Sequence, residues 1–431
     1  MSRTDTLRTT SEPGAETVRH RLELSAPGHL VPPAVARRVL STMLGRLRRG
    51  RLTIVEAHAS TTYGDGDGPS GEVRIRDARA WSLMLQRGSI GLGEAFVESM
   101  LESDDLVAVL GVLTRNLRRL NRVGNAVAPL RNRLAVPFDR ARRRTQADDR
   151  RHVVAHYDVG DDFFELFLDP TMAYSCGIFE DDTTSLEAAS TAKFDRICRK
   201  LDLGPNDHVV EIGSGWGGFA VHAATTYGCR VTTTTISAHQ FSAATRRAVE
   251  AGVGDRVTVL NCDYRELAGT FSHLVSIEMI EAVDWRDYHA YFSAIERLLA
   301  PGGTAALQCI LIDDHDFERA KRRDDFLKHY IFPGGCLPSI GAMSASLTHA
   351  SRLRLVDYED LGTHYVRTLK EWRQRLDARA HDALALGYSE RFLRLWHFYF
   401  AYCEAAFAQG FVTDAQVVLA APGRARRVRS L

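Results

Sequence analysis

The sequence lacks the features that mark membrane-spanning, secreted and metal-binding proteins. No run of residues approaches the roughly 20 apolar residues of a transmembrane helix, and the N-terminal segment has no apolar stretch typical of a signal peptide. The seven cysteines form no C-x-x-C pair, and the sixteen histidines lack the spacing of metal ligands. These absences predict a protein of the reducing cytoplasm without a metal site.

An excess of charge is also missing, because 55 lysines and arginines face 54 aspartates and glutamates. Such a balance excludes a strong field that would require nucleic acid as a partner. The arginines are nevertheless clustered, ten of them against the single acid Asp139 between Arg115 and Arg144. Leucines and valines interleave this cluster at roughly helical spacing, which favours contact with an anionic membrane surface. A solvated charged helix is the alternative.

A chain of 431 residues has room for two to three domains. Composition and turn signals divide it into a flexible N-terminus (1–30), a small α+β domain (31–116), a basic linker (117–150), a larger domain (151–410) and a basic C-terminal tail (411–431). The larger domain alternates apolar strands with helical stretches. This alternation predicts an α/β fold with a mostly parallel sheet and helices on both faces.

A glycine-rich loop directly follows an apolar strand in the segment 208–220. Its glycines Gly213, Gly215 and Gly217 alternate after Glu211, and the resulting E-x-G-x-G-x-G spacing fits S-adenosylmethionine (SAM) sites better than dinucleotide sites. The Glu211 carboxylate is placed to hold the methionine amino group of SAM through ordered water. A tight turn that binds no ligand is the alternative.

The ends of the next two predicted strands extend this cofactor site. The acid that usually binds the ribose is missing after the second strand, so Thr235, Ser237 and Gln240 are expected to supply those hydrogen bonds. Asp263 and Tyr264 end the third strand, where a carboxylate and an aromatic ring suit the amino group and the face of adenine. For Asp263, an ordinary turn residue at a strand end is the alternative.

Four further segments make the interpretation specific. They are His156–Gly177, Ser276–Val283, Lys328–Ser339 and Leu361–Trp372. Together with the glycine loop they resemble the cyclopropane-fatty-acyl-phospholipid synthase family, SAM-dependent methyltransferases that act on double bonds of lipid acyl chains. The resemblance implies a Rossmann-like SAM methyltransferase domain with a lipid-binding insertion over 151–410. It also implies that Tyr174 and Ser175 contact SAM and that the protein forms a homo-oligomer.

The resemblance further implies a bound bicarbonate ion as the catalytic base. Its ligands in the family map onto the backbone of Cys176 and onto Glu281, Gln308, Ile310 and Tyr365. The ion would remove one proton after the methyl group has been added to the alkene. A nucleophilic role for Cys176 is the alternative, but no histidine is paired with it, so a place in the wall of the site is favoured.

Two departures from the family pattern bear on the product. Cyclopropane-forming members usually have histidine at the position of Gln308, and Glu-His-Val-Gly where this chain has Glu281-Ala-Val-Asp284. Glutamine holds an anion but does not relay a proton as imidazole does. In this respect the chain resembles actinobacterial enzymes that methylenate oleoyl phospholipid on the way to tuberculostearic (10-methylstearic) acid.

The sequence therefore predicts a cytoplasmic enzyme, peripheral on the inner face of the cell membrane, that converts oleoyl to 10-methylene-stearoyl chains. A reductase partner that uses a flavin or a nicotinamide would complete the methyl branch. A cyclopropane synthase and a non-catalytic lipid- or SAM-binding protein are the alternatives. The charged segment Asp313–His329 is either a solvated helix or a lid over the lipid cavity.

Overall fold

The computed structural model describes residues 31–120 and 159–423. The predicted flexible N-terminus, most of the basic linker and the final arginines lie outside these residues. Within the described ranges, no helix combines the length and the apolar character that crossing a membrane requires.

The first unit is a small α+β arrangement, as its turn signals predict. Its elements are α1 (Pro33–Leu44), β1 (Arg51–Glu56), β2 (Ala59–Tyr63), β3 (Ser70–Ile75), α2 (Arg79–Arg87), α3 (Ser89–Val97), β4 (Leu101–Glu102) and α4 (Leu106–Arg115). The sheet has the order β2-β1-β3-β4, with β1 parallel to β3 and the two outer pairs antiparallel. Leu52, Ile54 and Val73 turn one face of this sheet to the core, and the buried apolar residues of α2 and α4 belong to the same core.

The second unit is built around a seven-stranded sheet. Its elements are α5 (Asp161–Phe164), α6 (Leu186–Leu201), β5 (His208–Ile212), α7 (Gly218–His222), β6 (Arg230–Thr235), α8 (Ala238–Glu250), β7 (Val257–Asn261), β8 (Phe271–Ile277), α9 (Tyr288–Leu298), β9 (Leu299–Ile312), α10 (Asp314–Ala320), α11 (Ile340–Ala350), β10 (Arg354–Asp360), α12 (Gly362–Ala378), α13 (Ala380–Ala385), α14 (Glu390–Ala408) and β11 (Val412–Ala420). The strand order is β10-β11-β9-β8-β5-β6-β7. The five strands from β9 to β7 are parallel, whereas β11 is antiparallel to both of its neighbours.

One predicted boundary is wrong. The segment 411–431 was expected to be a basic tail, but β11 within it lies inside the sheet between β10 and β9 and is almost wholly buried. Arginines beyond residue 423 dominate the composition of that segment, while Val417, Val418 and Leu419 form a short apolar run typical of a buried strand. The larger domain therefore extends past residue 410.

The parallel strands bring their carboxyl ends to one edge of the sheet. In open α/β sheets, ligands bind in the crevice outside this edge. The first unit packs against the second mainly through α14, which contacts α3 and α4. This packing encloses a large cavity between the small sheet and the end of the parallel strands.

Candidate active site

The glycine loop turns sharply after β5. Gly213, Gly215 and Gly217 all have left-handed backbone conformations, with φ of 94°, 48° and 87°. A Cβ atom on Gly217 would lie 3.0 Å from the Cα of Ala244 in α8, whereas one on Gly215 would meet no atom within 4 Å. The third glycine therefore lets α8 pack closely, and the second keeps open space beside the loop. This is the division of roles expected of a nucleotide-cofactor loop.

Glu211 lies at the end of β5 with its side chain buried. Its Oε2 atom has no hydrogen-bond partner among the described residues, and burial raises the pKa of its carboxyl to about 8. A buried carboxyl with an unused acceptor fits a cationic ligand group, since an ammonium would stabilise its ionised form. The α-amino group of SAM has this chemistry, so the residues present fit the cofactor.

Thr235, Ser237 and Gln240 form one hydrogen-bonded cluster where β6 leads into α8. The hydroxyl of Thr235 donates to Gln240 Oε1 at 2.8 Å, and the Ser237 hydroxyl caps α8 by accepting from the Gln240 backbone N–H at 3.3 Å. All three side chains are buried. The structure brings them together as the sequence suggests, and their contact with a ribose stays a prediction.

Asp263 and Tyr264 follow β7, as expected, and both are engaged with Arg265. The Asp263 carboxylate accepts from the Arg265 backbone N–H at 2.9 Å and from its guanidinium at 2.7 Å and 2.8 Å. The Tyr264 ring is buried, edge-to-face with Tyr291, and the guanidinium lies 5.4 Å from its centroid. The turn role weighed for Asp263 is thus present, and adenine recognition by this pair stays a prediction.

A second polar cluster lies at the end of β8, and its centre is a residue that the sequence interpretation missed. Glu278 lies partly buried in the cavity wall and has a left-handed φ of 48°, which is rare for a residue other than glycine. Its Oε1 atom accepts from the backbone N–H of Cys176 at 2.7 Å and from Gln308 Nε2 at 3.1 Å. Its Oε2 atom accepts from the hydroxyl of Tyr365 at 2.6 Å. Three of the predicted bicarbonate ligands therefore converge on one carboxylate.

The other two predicted ligands pair with each other. Glu281 Oε1 accepts from the backbone N–H of Ile310 at 2.5 Å, while Glu281 Oε2 is buried without a partner among the described residues. Burial and the neighbouring Glu278 raise the pKa of Glu281 to about 8. At neutral pH the Glu281 carboxyl is therefore mostly protonated.

A buried lysine on α6 supplies the positive charge of this region. Lys193 is fully buried, its Nζ atom donates to the hydroxyl of Ser175 at 2.5 Å, and it lies 4.6 Å from the centroid of the Phe194 ring. Burial lowers the pKa of Lys193, whereas Glu278 and Asp414 raise it. Sequence reasoning missed this lysine too, although it occupies the apolar stripe of α6, where a lysine needs buried carboxylate partners.

The thiol of Cys176 is a wall group, as the sequence favours. Burial raises its pKa well above the ordinary value, so the thiol stays neutral. Its sulfur donates to the carbonyl oxygens of Gly177 at 3.3 Å and Leu361 at 3.8 Å. A thiolate nucleophile has no support in this environment.

Glu278 and Glu281 open onto the cavity between the two units, which has a volume of about 1080 Å³. Its wall at the catalytic end includes Tyr174, Glu278, Glu281, Ile310 and Tyr365. The Tyr174 hydroxyl lies 2.8 Å from the Tyr399 hydroxyl, and aromatic rings surround it. The rest of the wall is largely aliphatic and comes from both units: Val35, Leu40, Met43, Leu44, Leu52, Ile54, Leu92, Leu110, Leu117, Leu120, Leu369 and Phe407.

Comparisons with known proteins agree with this geometry. The model of the mycolic acid cyclopropane synthetase family matches residues 144–417. Tuberculostearic acid methyltransferase UfaA1 of Mycobacterium tuberculosis is 35% identical over 97% of this chain and 99% of its own length. Cyclopropane-fatty-acyl-phospholipid synthase of Escherichia coli K12 is 34% identical over 82% of this chain and 88% of its own.

Solved structures show the same relationship. The cyclopropane synthase MmaA2 of Mycobacterium tuberculosis superposes with a TM-score of 0.59 at 29% identity, covering 63% of this chain and 98% of its own. The mycolic acid cyclopropane synthase CmaA1, solved with S-adenosylhomocysteine (SAH), gives a TM-score of 0.59 at 30% identity and covers 63% of this chain and 98% of its own. The predicted α/β methyltransferase fold is confirmed. The chain belongs to the mycolic acid cyclopropane synthetase family and is a SAM-dependent methyltransferase.

Proposed function

We propose that this enzyme methylates the double bond of an unsaturated phospholipid acyl chain and converts oleoyl to 10-methylene-stearoyl chains. The observation that carries the proposal is the cavity, whose wall is largely aliphatic and carries its polar side chains mainly at the catalytic end and in the segment Asp313–His329. Its volume of about 1080 Å³ lies at the upper limit of ordinary small-molecule sites. An acyl chain needs such a wall, because burial of its methylene groups drives binding by about 0.8 kcal/mol each.

The catalytic end suits a reaction that passes through a carbocation. When bound, SAM supplies an electrophilic methyl group. Tyr174 and Tyr365 contribute aromatic rings to the wall, and the face of such a ring stabilises a cation by roughly 0.5–2 kcal/mol. The buried aromatic cluster around Phe164, Phe167 and Trp372 keeps water from the site, so the cation loses a proton instead of gaining a hydroxyl.

The charged segment Asp313–His329 contributes side chains of both signs to the cavity wall. Basic residues from this segment belong to the cavity wall: Arg319, Lys321, Arg322, Arg323 and Lys328. Three acids of the segment, Asp316, Asp324 and Asp325, belong to the wall as well, and Arg319, Lys321 and Arg322 pair with Asp316 or Glu318. The segment therefore carries no net positive charge toward a phosphate, but its place in the wall favours the lid over a purely solvated helix. A phospholipid at a membrane surface is supported instead by the arginine cluster between Arg115 and Arg144, because each basic residue near an anionic membrane surface adds about 1 kcal/mol to membrane attraction.

The methylene product is favoured over a cyclopropane by the relative UfaA1 and by Gln308. Gln308 Nε2 donates to the Cys176 carbonyl at 3.1 Å and to Glu278, and Gln308 Oε1 accepts from Gln416 at 3.2 Å. An amide held in this way relays no proton. Slower deprotonation gives the cation time for a 1,2-hydride shift, after which the new methyl group loses the proton.

The test is to incubate the purified enzyme with SAM and vesicles of dioleoyl phosphatidylglycerol, measuring SAH and the lipid products by gas chromatography with mass spectrometry. The expected product is a 10-methylene C19 chain. Neutral phosphatidylcholine vesicles and added salt are the controls, and both should lower the rate. A C19 cyclopropane as the main product would favour the cyclopropane synthase, and equal rates on dispersed oleate would exclude a membrane-presented substrate. No SAH with any unsaturated lipid would favour a non-catalytic binding protein.

Two partners complete the proposal. Conversion of an exo-methylene group to a methyl branch adds two hydrogens, so a reductase that uses a flavin or a nicotinamide acts after this enzyme. Co-expression of such a reductase should convert the 10-methylene chain to 10-methylstearate. Self-association, implied by the family resemblance, predicts a molar mass by light scattering above that of the 48.0 kDa chain.

A further inference from the structure

We infer that the carboxylate of Glu278 is the base of this reaction and occupies the position that the family resemblance assigns to bicarbonate. The enzyme would then work without bicarbonate. This inference takes its substrate from the proposed function, whereas the identity of the base rests on the geometry of Glu278.

The first argument is that the donors expected to hold bicarbonate are already used. The N–H of Cys176, the amide of Gln308 and the hydroxyl of Tyr365 all donate to Glu278 at 3.1 Å or less. A carboxylate and a bicarbonate ion present the same planar pair of oxygens to such donors. A free anion would have to compete for them against a side chain tethered in place, so the residues present do not fit an additional bicarbonate.

The second argument is electrostatic. A bicarbonate ion beside Glu278 would bring a second negative charge into a buried region. Within the described residues, Lys193 is the cation that acts on Glu278. Like charges at such short range disfavour each other strongly when water is excluded. Lys193 acts on the carboxyls of Asp414 and Asp169 as well, so an additional anion would be uncompensated.

The third argument is the backbone. Glu278 keeps a φ of 48°, a left-handed conformation that is strained for a non-glycine residue. The backbone N–H of Glu278 donates to the Gln308 carbonyl at 2.7 Å, which fixes this conformation. The result places the carboxylate in the wall of the cavity. Local strain of this kind is typical of residues held for function.

Glu281 is the competing base in the same wall. It accepts one hydrogen bond, from the Ile310 N–H, and its pKa of about 8 keeps it mostly protonated at neutral pH. Burial leaves the pKa of Glu278 above its ordinary value as well, although Lys193 and the hydrogen bonds from Tyr365, Cys176 and Gln308 lower it. Three donors hold the Glu278 carboxylate, against one at Glu281. Glu278 is therefore the carboxyl that is better supported as an anion.

The step that Glu278 performs is a single proton transfer. After the methyl group is bonded to the acyl chain and the cation has shifted to the methyl-bearing carbon, one C–H bond of that methyl group breaks. Its electron pair forms the C=CH2 double bond of the methylene group with the cationic carbon, and the proton passes to the Glu278 carboxylate. The resulting neutral acid loses this proton to water that enters the cavity after product release.

The experiment compares the wild-type enzyme, Glu278→Gly and Glu278→Gln in buffer depleted of carbon dioxide, with and without added sodium bicarbonate. Glycine adopts the backbone conformation of residue 278 freely, so Glu278→Gly removes the carboxylate and leaves space for an anion without strain. Glu250→Gln, which removes an exposed carboxylate at the end of α8, is the charge control.

We expect the wild-type and control rates to change less than twofold on adding bicarbonate. Glu278→Gly should lose at least a hundredfold in rate without bicarbonate, a typical loss for a general base, and regain at least tenfold with it. Glu278→Gln should be slow and show no rescue, because its amide still fills the site. Stimulation of the wild-type enzyme by bicarbonate, or full activity of Glu278→Gly without it, would overturn the inference.

Binding of ¹³C-labelled bicarbonate, measured by nuclear magnetic resonance in the presence of SAH, separates this inference from the proposed function. The Glu278→Gly variant should bind the ion, and the wild-type protein should not. This readout needs no lipid turnover, so it decides the inference even if the enzyme fails on every lipid tested. Specific binding to the wild-type protein would refute it, and should Glu278→Gly not fold, the wild-type measurement alone decides.

Discussion

Replacement of the buried Lys193 by methionine should destabilise the protein strongly. The ammonium is fully enclosed and acts on the carboxyls of Glu278, Asp414 and Asp169. Methionine fills a similar volume, so the change removes the charge and little packing. Removing one partner of a buried ion pair typically costs about 3–5 kcal/mol, because the remaining charge has no compensation.

The size of the effect should depend on pH in a defined direction. Without the ammonium, the pKa values of Glu278 and Asp414 rise further, because Lys193 lowers both. A carboxyl whose pKa is raised in the folded state contributes stability that is fully present below its unfolded pKa, near 4, and is lost as pH rises through the folded value. The deficit in the free energy of unfolding of Lys193→Met relative to wild type should therefore be larger at pH 8.5 than at pH 6.

Urea denaturation at the two pH values measures this deficit. Lys200→Met, on the same helix, is the matched control, because Lys200 pairs with the more exposed Asp357 and Glu359 at 2.8 Å and 2.9 Å. A pair of that kind contributes about 0–1 kcal/mol. Adding Asp414→Asn to Lys193→Met should recover part of the loss. A loss below 1 kcal/mol for Lys193→Met at pH 8.5 would refute the view that this lysine is charged and compensates the buried carboxyls.

Four further predictions concern the cofactor loop and the product. Binding of SAM at pH 7 should release a proton from Glu211, whose pKa is about 8 in the free protein. Calorimetry in buffers of different ionisation enthalpy measures the number of protons released, and an unchanged number in Glu211→Gln would contradict the prediction. Gly217→Ala places a Cβ atom 3.0 Å from the Cα of Ala244, so it should lower the free energy of unfolding by about 1–3 kcal/mol. Gly213→Val should abolish SAM binding, measured by calorimetry on a variant whose circular dichroism is native. Unaltered affinity would count against the loop as the cofactor site. Gln308→His should retain SAM binding and raise the share of cyclopropane among the lipid products. An active variant with an unchanged product ratio would show that residue 308 does not select the product.

The fold of the catalytic unit was predictable because its signals are local. An apolar run followed by alternating glycines predicts a strand and a cofactor loop, and both lie where the pattern places them at β5 and Gly213–Gly217. The strand β11 escaped prediction because a short apolar run carries little signal beside a cluster of arginines. Its burial depends on pairing with β9 and β10, which are far away in the sequence.

The sequence by itself determined the family, the cofactor and the residue types available for catalysis, since these depend on short segments and their spacing. Only the tertiary structure decided what Glu278 does. Its three donors come from positions 102, 30 and 87 residues away, at Cys176, Gln308 and Tyr365. The burial that shifts the pKa of Glu281, and the lysine that balances the charge of Glu278, likewise depend on how distant helices and strands pack. Desolvation and convergence are properties of the packed chain, and no local pattern encodes them.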